Sequence, residues 1–416
     1  MKYFTADYIF PVSSPLLENG VVITDDAGVI LDIVSKESIQ HPISNIQHLK
    51  GIIVPGFINA HCHLELSHLK AQISEKKQMH GFISELLPRR GSFTAEQIKA
   101  AIAEAEAEML RNGIVAVGDI SNTDHSFEQK AKKNLYYHTF IEAFDLAPEK
   151  AAEVFRKGKE LQKQLENIPL PSHKQAHPPS KGELPFSIVP HAPYTVSPEL
   201  FGLIYDLQQD MVCIHNQESR GEDELFRSKS GPMAELFSRM GMDLPWIKGD
   251  GKDSLRYTLS QLNAHRIQLV HNTYTSADDL SWANSKLQPA NLPGRQAGCK
   301  LFWCTCPNAN LYIEDRLPDY QVFLNEKVTI GTDSYASNWS LSILDEMKTI
   351  QKHFPSIAFE KLLEWGTKNG AEFLGIDERY GTIATGKAPG LNLIEHADLS
   401  GGEVRLTEKS RVRKLA

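Results

Sequence analysis

Short apolar runs alternate with helical stretches about eight times between residues 53 and 375, and this rhythm restricts the fold more than any other feature. GIIVPGFINAHCHLELS reads as an apolar strand, a Pro-Gly turn and a second strand, and GIVAVGDIS, NLYYHTFIEAFD, FSIVPHAPYTVS, MVCIHNQES, IQLVHNTYTS, KLFWCTCPNANLYI and VTIGTDSYASN each read as a strand, most of them running into a polar loop. Helical segments separate most of them. QIKAAIAEAEAEMLRNG carries a capping-box signal at Thr94 and Gln97 and stops at Asn112-Gly113. EKAAEVFRKGKELQKQLEN is amphipathic. Repeated strand–helix alternation of this length predicts an α/β chain built as a (β/α)₈ TIM-type barrel, although a doubly wound open sheet gives a similar pattern.

The two ends differ from the middle. GVVITDDAGVILDIV is a hairpin signal, and YGTIATGKAPGLNLIEHAD returns to strands and turns. Residues 1–52 and 376–416 are expected to pair into a composite β-sandwich, with a barrel domain over 53–375 inserted between them. IPLPSHKQAHPPSKGELP reads as an exposed loop, its 170–184 stretch as an insertion. The basic tail KSRVRKLA reads as a solvated end.

Composition excludes several classes. The 416 residues are 41% hydrophobic and 23% charged, with a formal net charge of −8. No basic stretch suits a nucleic-acid groove, and no apolar run approaches a membrane span. The N-terminus lacks the apolar region of a signal peptide. Five cysteines (Cys62, Cys213, Cys299, Cys304, Cys306) are too few and too irregular for a disulfide framework. A cytoplasmic protein is expected, with no nucleic-acid or membrane partner; a homodimer is compatible with this reading.

The chemistry begins at His61 and His63. Side chains two apart on a strand share a face, so both imidazoles reach one ion. Three further strand ends carry matching groups: His215 with Glu218 close behind it, His271, and Asp333. Carboxyl ends of strands form the active-site face of a barrel, and packing alone does not explain so many polar groups there. Imidazole and carboxylate ligands with an open position suit zinc or iron, so His61, His63, His215 and Asp333 are the expected ligands of one divalent ion that makes water nucleophilic near neutral pH. Glu218 is the expected proton shuttle. His271 is placed to hydrogen-bond the attacking water or the developing oxyanion, and Asp333 to take a proton from that water.

Taken together and in order, PGFINAHCHLE, PHAPYTVS, HNQE, the strand ending at His271, and GTDSYASN resemble the amidohydrolase superfamily, in its branch of chlorohydrolases and nucleobase or nucleoside deaminases. GTIATGKAPGLNLI is similar to the family's closing turn, with Pro389-Gly390 where relatives have Ala-Asp. The resemblance implies the same barrel, ligands, shuttle and water-orienting residue. It also implies a single metal, because PFSIVPHAPYTVS lacks the bridging lysine of binuclear branches.

For substrate, the resemblance implies a purine-ring contact at His191, the alternative being a histidine that fixes its loop. Glu65 faces the same side as His63 and is placed to bind a sugar hydroxyl or to hold the loop. Asn308, Asn310, Ser334 and Asn338 are further polar liners, read mainly as structural. HCHLELSHL resembles the aminodeoxyfutalosine deaminases of the alternative menaquinone route. The expected function is therefore a metal-dependent aminohydrolase acting on a purine-like nucleoside or base. The competing readings are a cyclic amide or imidazolone hydrolase of the same superfamily and, less favoured because every ligand is present, a non-catalytic scaffold.

Overall fold

The computed structural model describes residues 1–35, 48–169, 184–287 and 299–416. Fifteen strands, numbered in chain order, fall into three sheets.

The chain ends build the first sheet. It holds β1 (Lys2–Ile9), β2 (Leu17–Glu18), β3 (Gly20–Thr24), β4 (Ile30–Ser35) and β5 (His48–Pro55). The C-terminal β14 (Leu391–Glu395) and β15 (Arg411–Lys414) complete it. Its order is β15-β14-β5-β1-β3-β4, with β2 on β1. The β3–β4 hairpin forms where Asp-Asp-Ala-Gly marks the turn. Ala6, Ile9, Val22, Ile53, Leu391 and Leu393 pack its core. The tail corrects the sequence reading: Arg411–Lys414 is an exposed edge strand paired with β14, and Glu395 balances both Arg411 and Arg413. Edge position explains the composition, since charges on an edge strand discourage pairing with another chain.

The central eight strands form two parallel sheets. One runs β6 (Phe57–Cys62), β7 (Ile114–Ser121), β8 (Tyr136–Ala143), β9 (Phe186–Pro190), and the other β10 (Met211–Asn216), β11 (Arg266–His271), β12 (Lys300–Thr305), β13 (Val328–Ile330). β6, β8 and β10 are buried along their whole length. This continuous burial is what helices on the outside and side chains on the inside impose on parallel strands. The helix Ala95–Arg111 carries the full Thr94–Gln97 capping box. The helix Ala151–Glu166 packs its apolar side on β8 and β9. NANLYI, read as loop, lies instead in the helix Pro307–Glu314, which Pro307 starts at its first position.

The two sheets touch at both margins. At one, the N–H groups of Thr332 and Asp333 both donate to the His61 carbonyl at 3.0 and 3.1 Å. Gly331 permits that approach: a Cβ there would stand 2.7 Å from the same oxygen. At the other, the His215 N–H donates to the His191 carbonyl at 3.0 Å. Gln268 of β11 reaches across to the Ala60 carbonyl of β6, and its own oxygen accepts from Thr329.

Residues 170–183 of the expected insertion lie outside the described residues. Cys62, Cys213, Cys304 and Cys306 are free thiols and buried, as small core residues should be. Among the described residues no helix is long and apolar enough to cross a membrane.

Candidate active site

The carboxyl ends of β6, β10, β11 and β13 bring the expected residues together. Nε2 of His63 lies 3.2 Å from Nε2 of His61 and 3.4 Å from Nε2 of His215. Oδ1 of Asp333 lies 3.7 Å from His61 and 3.5 Å from His63. Four ligands arranged tetrahedrally about 2.1 Å from one ion stand roughly 3.4 Å apart. The four distances made by His63 and Asp333 therefore have the spacing of a small divalent cation's coordination shell. The donor set also lies within a larger cluster, since His61, His215 and His271 group as closely as His61, His63 and Asp333.

Electrostatics agree with that fit. Burial holds His63 down at about 3 and His215 at about 4, and lowers His61 further. The imidazoles are neutral at pH 7 and keep lone pairs for an ion. Burial pushes Asp333 up to about 7 even though Ser337 donates to it. A buried carboxylate so short of positive charge is one that a cation would satisfy. Nδ1 of His215 lies 2.7 Å from the His191 carbonyl, which fixes Nδ1 as the protonated nitrogen and leaves Nε2 as donor.

Glu218 is buried, and burial raises its carboxyl well above the usual range, with Asp333 adding to the effect. Glu222 clamps its loop by accepting the N–H groups of Gln217 and Glu218. Oε1 of Glu218 lies 3.4 Å from Nε2 of His271, a nitrogen with no hydrogen-bond partner, while Nδ1 of His271 bonds Asn310 at 2.8 Å. The Glu218 carboxyl thus faces an imidazole nitrogen beside the four-ligand cluster.

The substrate candidates are differently placed. The Glu65 carboxylate accepts from Arg90 at 2.7 Å, from the N–H groups of Asn122 and Thr123, and from the Thr123 hydroxyl. These are loop-holding bonds. His191 lies at the end of β9, its Nδ1 2.7 Å from Oε1 of Glu142. Asn308 and Asn338 both bond Glu346, and Ser334 bonds Ser337, so these tie loops together. Sequence reasoning missed Glu142, Arg90, Asn122 and the buried Asp119–Lys130 pair. The strand-end rule that found His215 points equally to Glu142 in NLYYHTFIEAFD.

A family model of the amidohydrolase family matches residues 52–412. The chain belongs to that family. It is 27% identical over 393 residues to an adenosine deaminase of Helicobacter pylori, covering 89% of this chain and 87% of that one. It is 27% identical over 353 residues to an aminodeoxyfutalosine deaminase of Deinococcus radiodurans, covering 81% and 76%. Its fold is similar to that of Helicobacter pylori aminofutalosine deaminase crystallised with methylthio-coformycin, with a TM-score of 0.73, 22% identity and complete coverage of both chains.

Proposed function

We propose that this chain is a metal-dependent deaminase that replaces the exocyclic amino group of a purine-like nucleoside by water. Aminodeoxyfutalosine is the favoured substrate, because relatives named for it and for adenosine span most of the chain. The observation that carries the chemistry is the set His61, His63, His215 and Asp333, in which His63 lies 3.2–3.5 Å from each of the other three, with the buried Glu218 carboxyl beside it.

His61, His63, His215 and Asp333 hold one zinc or iron ion in this reading, which supplies a Lewis acid that makes water nucleophilic near neutral pH. Glu218 gives its proton to the ring nitrogen next to the attacked carbon, recovers one from the attacking water, and passes it to the departing amine. Ammonia leaves and the ring carbon keeps the oxygen. Asp333 is placed to take the remaining proton of the attacking oxygen as the C–N bond breaks, and return of that proton to Glu218 restores the starting state. His271, fixed by Asn310, steadies the water and the developing oxyanion through Nε2.

The architecture belongs to the same proposal. The central sheets close into one (β/α)₈ barrel over residues 53–375. The contacts at both margins and the cross-barrel bonds of Gln268 support this. Residues 1–52 and 376–416 form a separate β-sandwich domain, which their shared sheet supports.

Ammonia release from a panel of aminopurine nucleosides and bases, run beside cyclic amides, tests the function. Turnover of the nucleosides is expected. Ring opening of a cyclic amide with no ammonia from any aminopurine would replace this reading. His63→Ala should also lose its metal, and a normal metal content in that variant would overturn the ligand set.

A further inference from the structure

One site imidazole is reachable from solvent. The side chain of His191 is 30% exposed, against 1% for His61, 7% for His63, 7% for His215 and 1% for His271. Its Nδ1 lies 2.7 Å from Oε1 of Glu142, a carboxylate 3% exposed at the end of β8. The same oxygen is 3.7 Å from Nδ1 of His215, and Glu142 groups with His63 and His215 within 4.8 Å, so it stands against two of the ligand rings.

Glu142 is itself fixed. The Asn122 amide donates to its Oε2 at 3.0 Å and to its backbone carbonyl at 3.2 Å. Asn122 accepts from Arg90, and Arg90 bonds Glu65. One line of polar contacts therefore runs Glu65–Arg90–Asn122–Glu142–His191, hydrogen bonds as far as Glu142 and a 2.7 Å contact at its end, from the loop after β6 to the accessible imidazole. On the other side of His191 stands Phe144, 39% exposed, its ring centroid 5.8 Å away.

We infer that Glu142 is a positioning residue that fixes His191 with Nδ1–H toward the carboxylate and Nε2 toward the substrate, beside the aromatic wall of Phe144. The inference rests on the deaminase reading and deepens it. Because the reacting ring must approach past His191, a fixed Nε2 there discriminates by the position of a hydrogen-bonding ring atom. Glu65 and His191 are then two ends of one structure: Glu65 anchors the line and His191 touches the ligand.

The test is a double-mutant cycle on the metal-loaded full chain with the best nucleoside from the panel. Glu142→Gln keeps the shape and removes the anion. Its KM should rise roughly ten- to a hundredfold, the scale of one hydrogen bond to a charged group, with metal content at the wild-type level and a smaller change in kcat. In a His191→Phe background the same substitution should add little, because Glu142 acts through that ring. Equal effects of Glu142→Gln with and without His191 would overturn the proposal, as would a fall in metal content that accounts for the lost activity. Nitrogen-15 NMR of labelled histidines gives a readout independent of turnover: the His191 Nδ1 signal should be that of a protonated nitrogen in the wild type and move in Glu142→Gln. An unmoved signal also overturns it. Absence of aminopurine turnover by the wild type defeats the deaminase reading itself, and the NMR signal still decides whether Glu142 fixes the ring.

Discussion

Lys130→Met removes one half of an ion pair that has no access to solvent. Nζ of Lys130 lies 2.6 Å from Oδ2 of Asp119, and both side chains are 0% exposed. Lys130 also donates to Ser121 and Thr139, and Asp119 accepts the N–H of Leu64 at 2.8 Å. Attraction at 2.6 Å is about 6 kcal/mol for an effective dielectric constant near 20. Desolvating the two ions opposes most of it, at several kcal/mol each, so removing both charges together costs little. Removing Lys130 alone strands Asp119, and such breaks cost about 3–5 kcal/mol. In urea, with a slope of at least about 3 kcal/mol/M for a chain of this size, the unfolding midpoint should fall by roughly 1 M. Asp119→Asn/Lys130→Met should recover most of that fall. The pH dependence has a definite sign. Burial already raises the Asp119 carboxyl while Lys130 holds it down. Without Lys130 the folded state binds a proton there more readily, so the deficit is largest at high pH and shrinks as pH is lowered. Metal content should fall too, because Leu64 directly follows His63. A single variant as stable as wild type, or a double variant as unstable as the single, would refute the reasoning.

Glu218→Gln should bind metal normally and lose at least about a hundredfold in kcat, the contribution of a positioned proton carrier; metal analysis and turnover check both, and retained activity removes Glu218 from its role. Burial pushes Glu346 up to about 8 and Glu222 up to about 7, whereas an unfolded glutamate titrates near 4.3. The folded chain thus holds protons that the unfolded chain releases, and this stabilisation is lost as pH rises from about 4 to 8. Glu346→Gln should flatten the decline of the urea midpoint between pH 5 and 8, and an unchanged slope counts against the assignment.

Period-two reasoning made His61 and His63 legible: His61 lies in β6, and His63, one residue past the strand's end, still brings its Nε2 to 3.2 Å from that of His61. The same logic located His215, His271 and Asp333 as polar interruptions of apolar runs. What was hidden at Glu142 is its partner: the strand-end rule points to this residue in NLYYHTFIEAFD, but nothing local says that a histidine from the next strand lies beside it. Asp119 and Lys130 were hidden similarly, eleven residues apart and joined only by the crossing of β7 with the helix Phe127–Lys130. The terminal sheet was half legible. Its hairpin follows from turn chemistry, but β15 pairs with β14 across a stretch with no strand signal, and its exposed basic residues look like a tail until the partner strand is placed.

Glu218 is the instructive case, because strand periodicity argues against it. With His215 facing the site, alternation would also turn residue 217 inward and send 218 to the opposite face. The chain breaks the period where β10 ends: Gln217 adopts a left-handed conformation with φ 44°. Left-handed residues also occur at the ends of β11 and β13, in His271 at φ 73° and Asp333 at φ 56°. Such conformations cost roughly 1–3 kcal/mol each for residues with side chains and persist only where surroundings over-determine them. Here they are over-determined. The Gln217 N–H is held by Glu222, the Asn272 N–H by the Asn216 carbonyl, and the Asp333 N–H by the His61 carbonyl. Three strained strand exits thus carry the shuttle, the imidazole facing it and the carboxylate ligand, whereas His63 leaves β6 at φ −114°, without a left-handed residue. A spacing of two is readable as geometry in sequence; a spacing of three across a left-handed residue is geometry only once the bonds that enforce the turn are known.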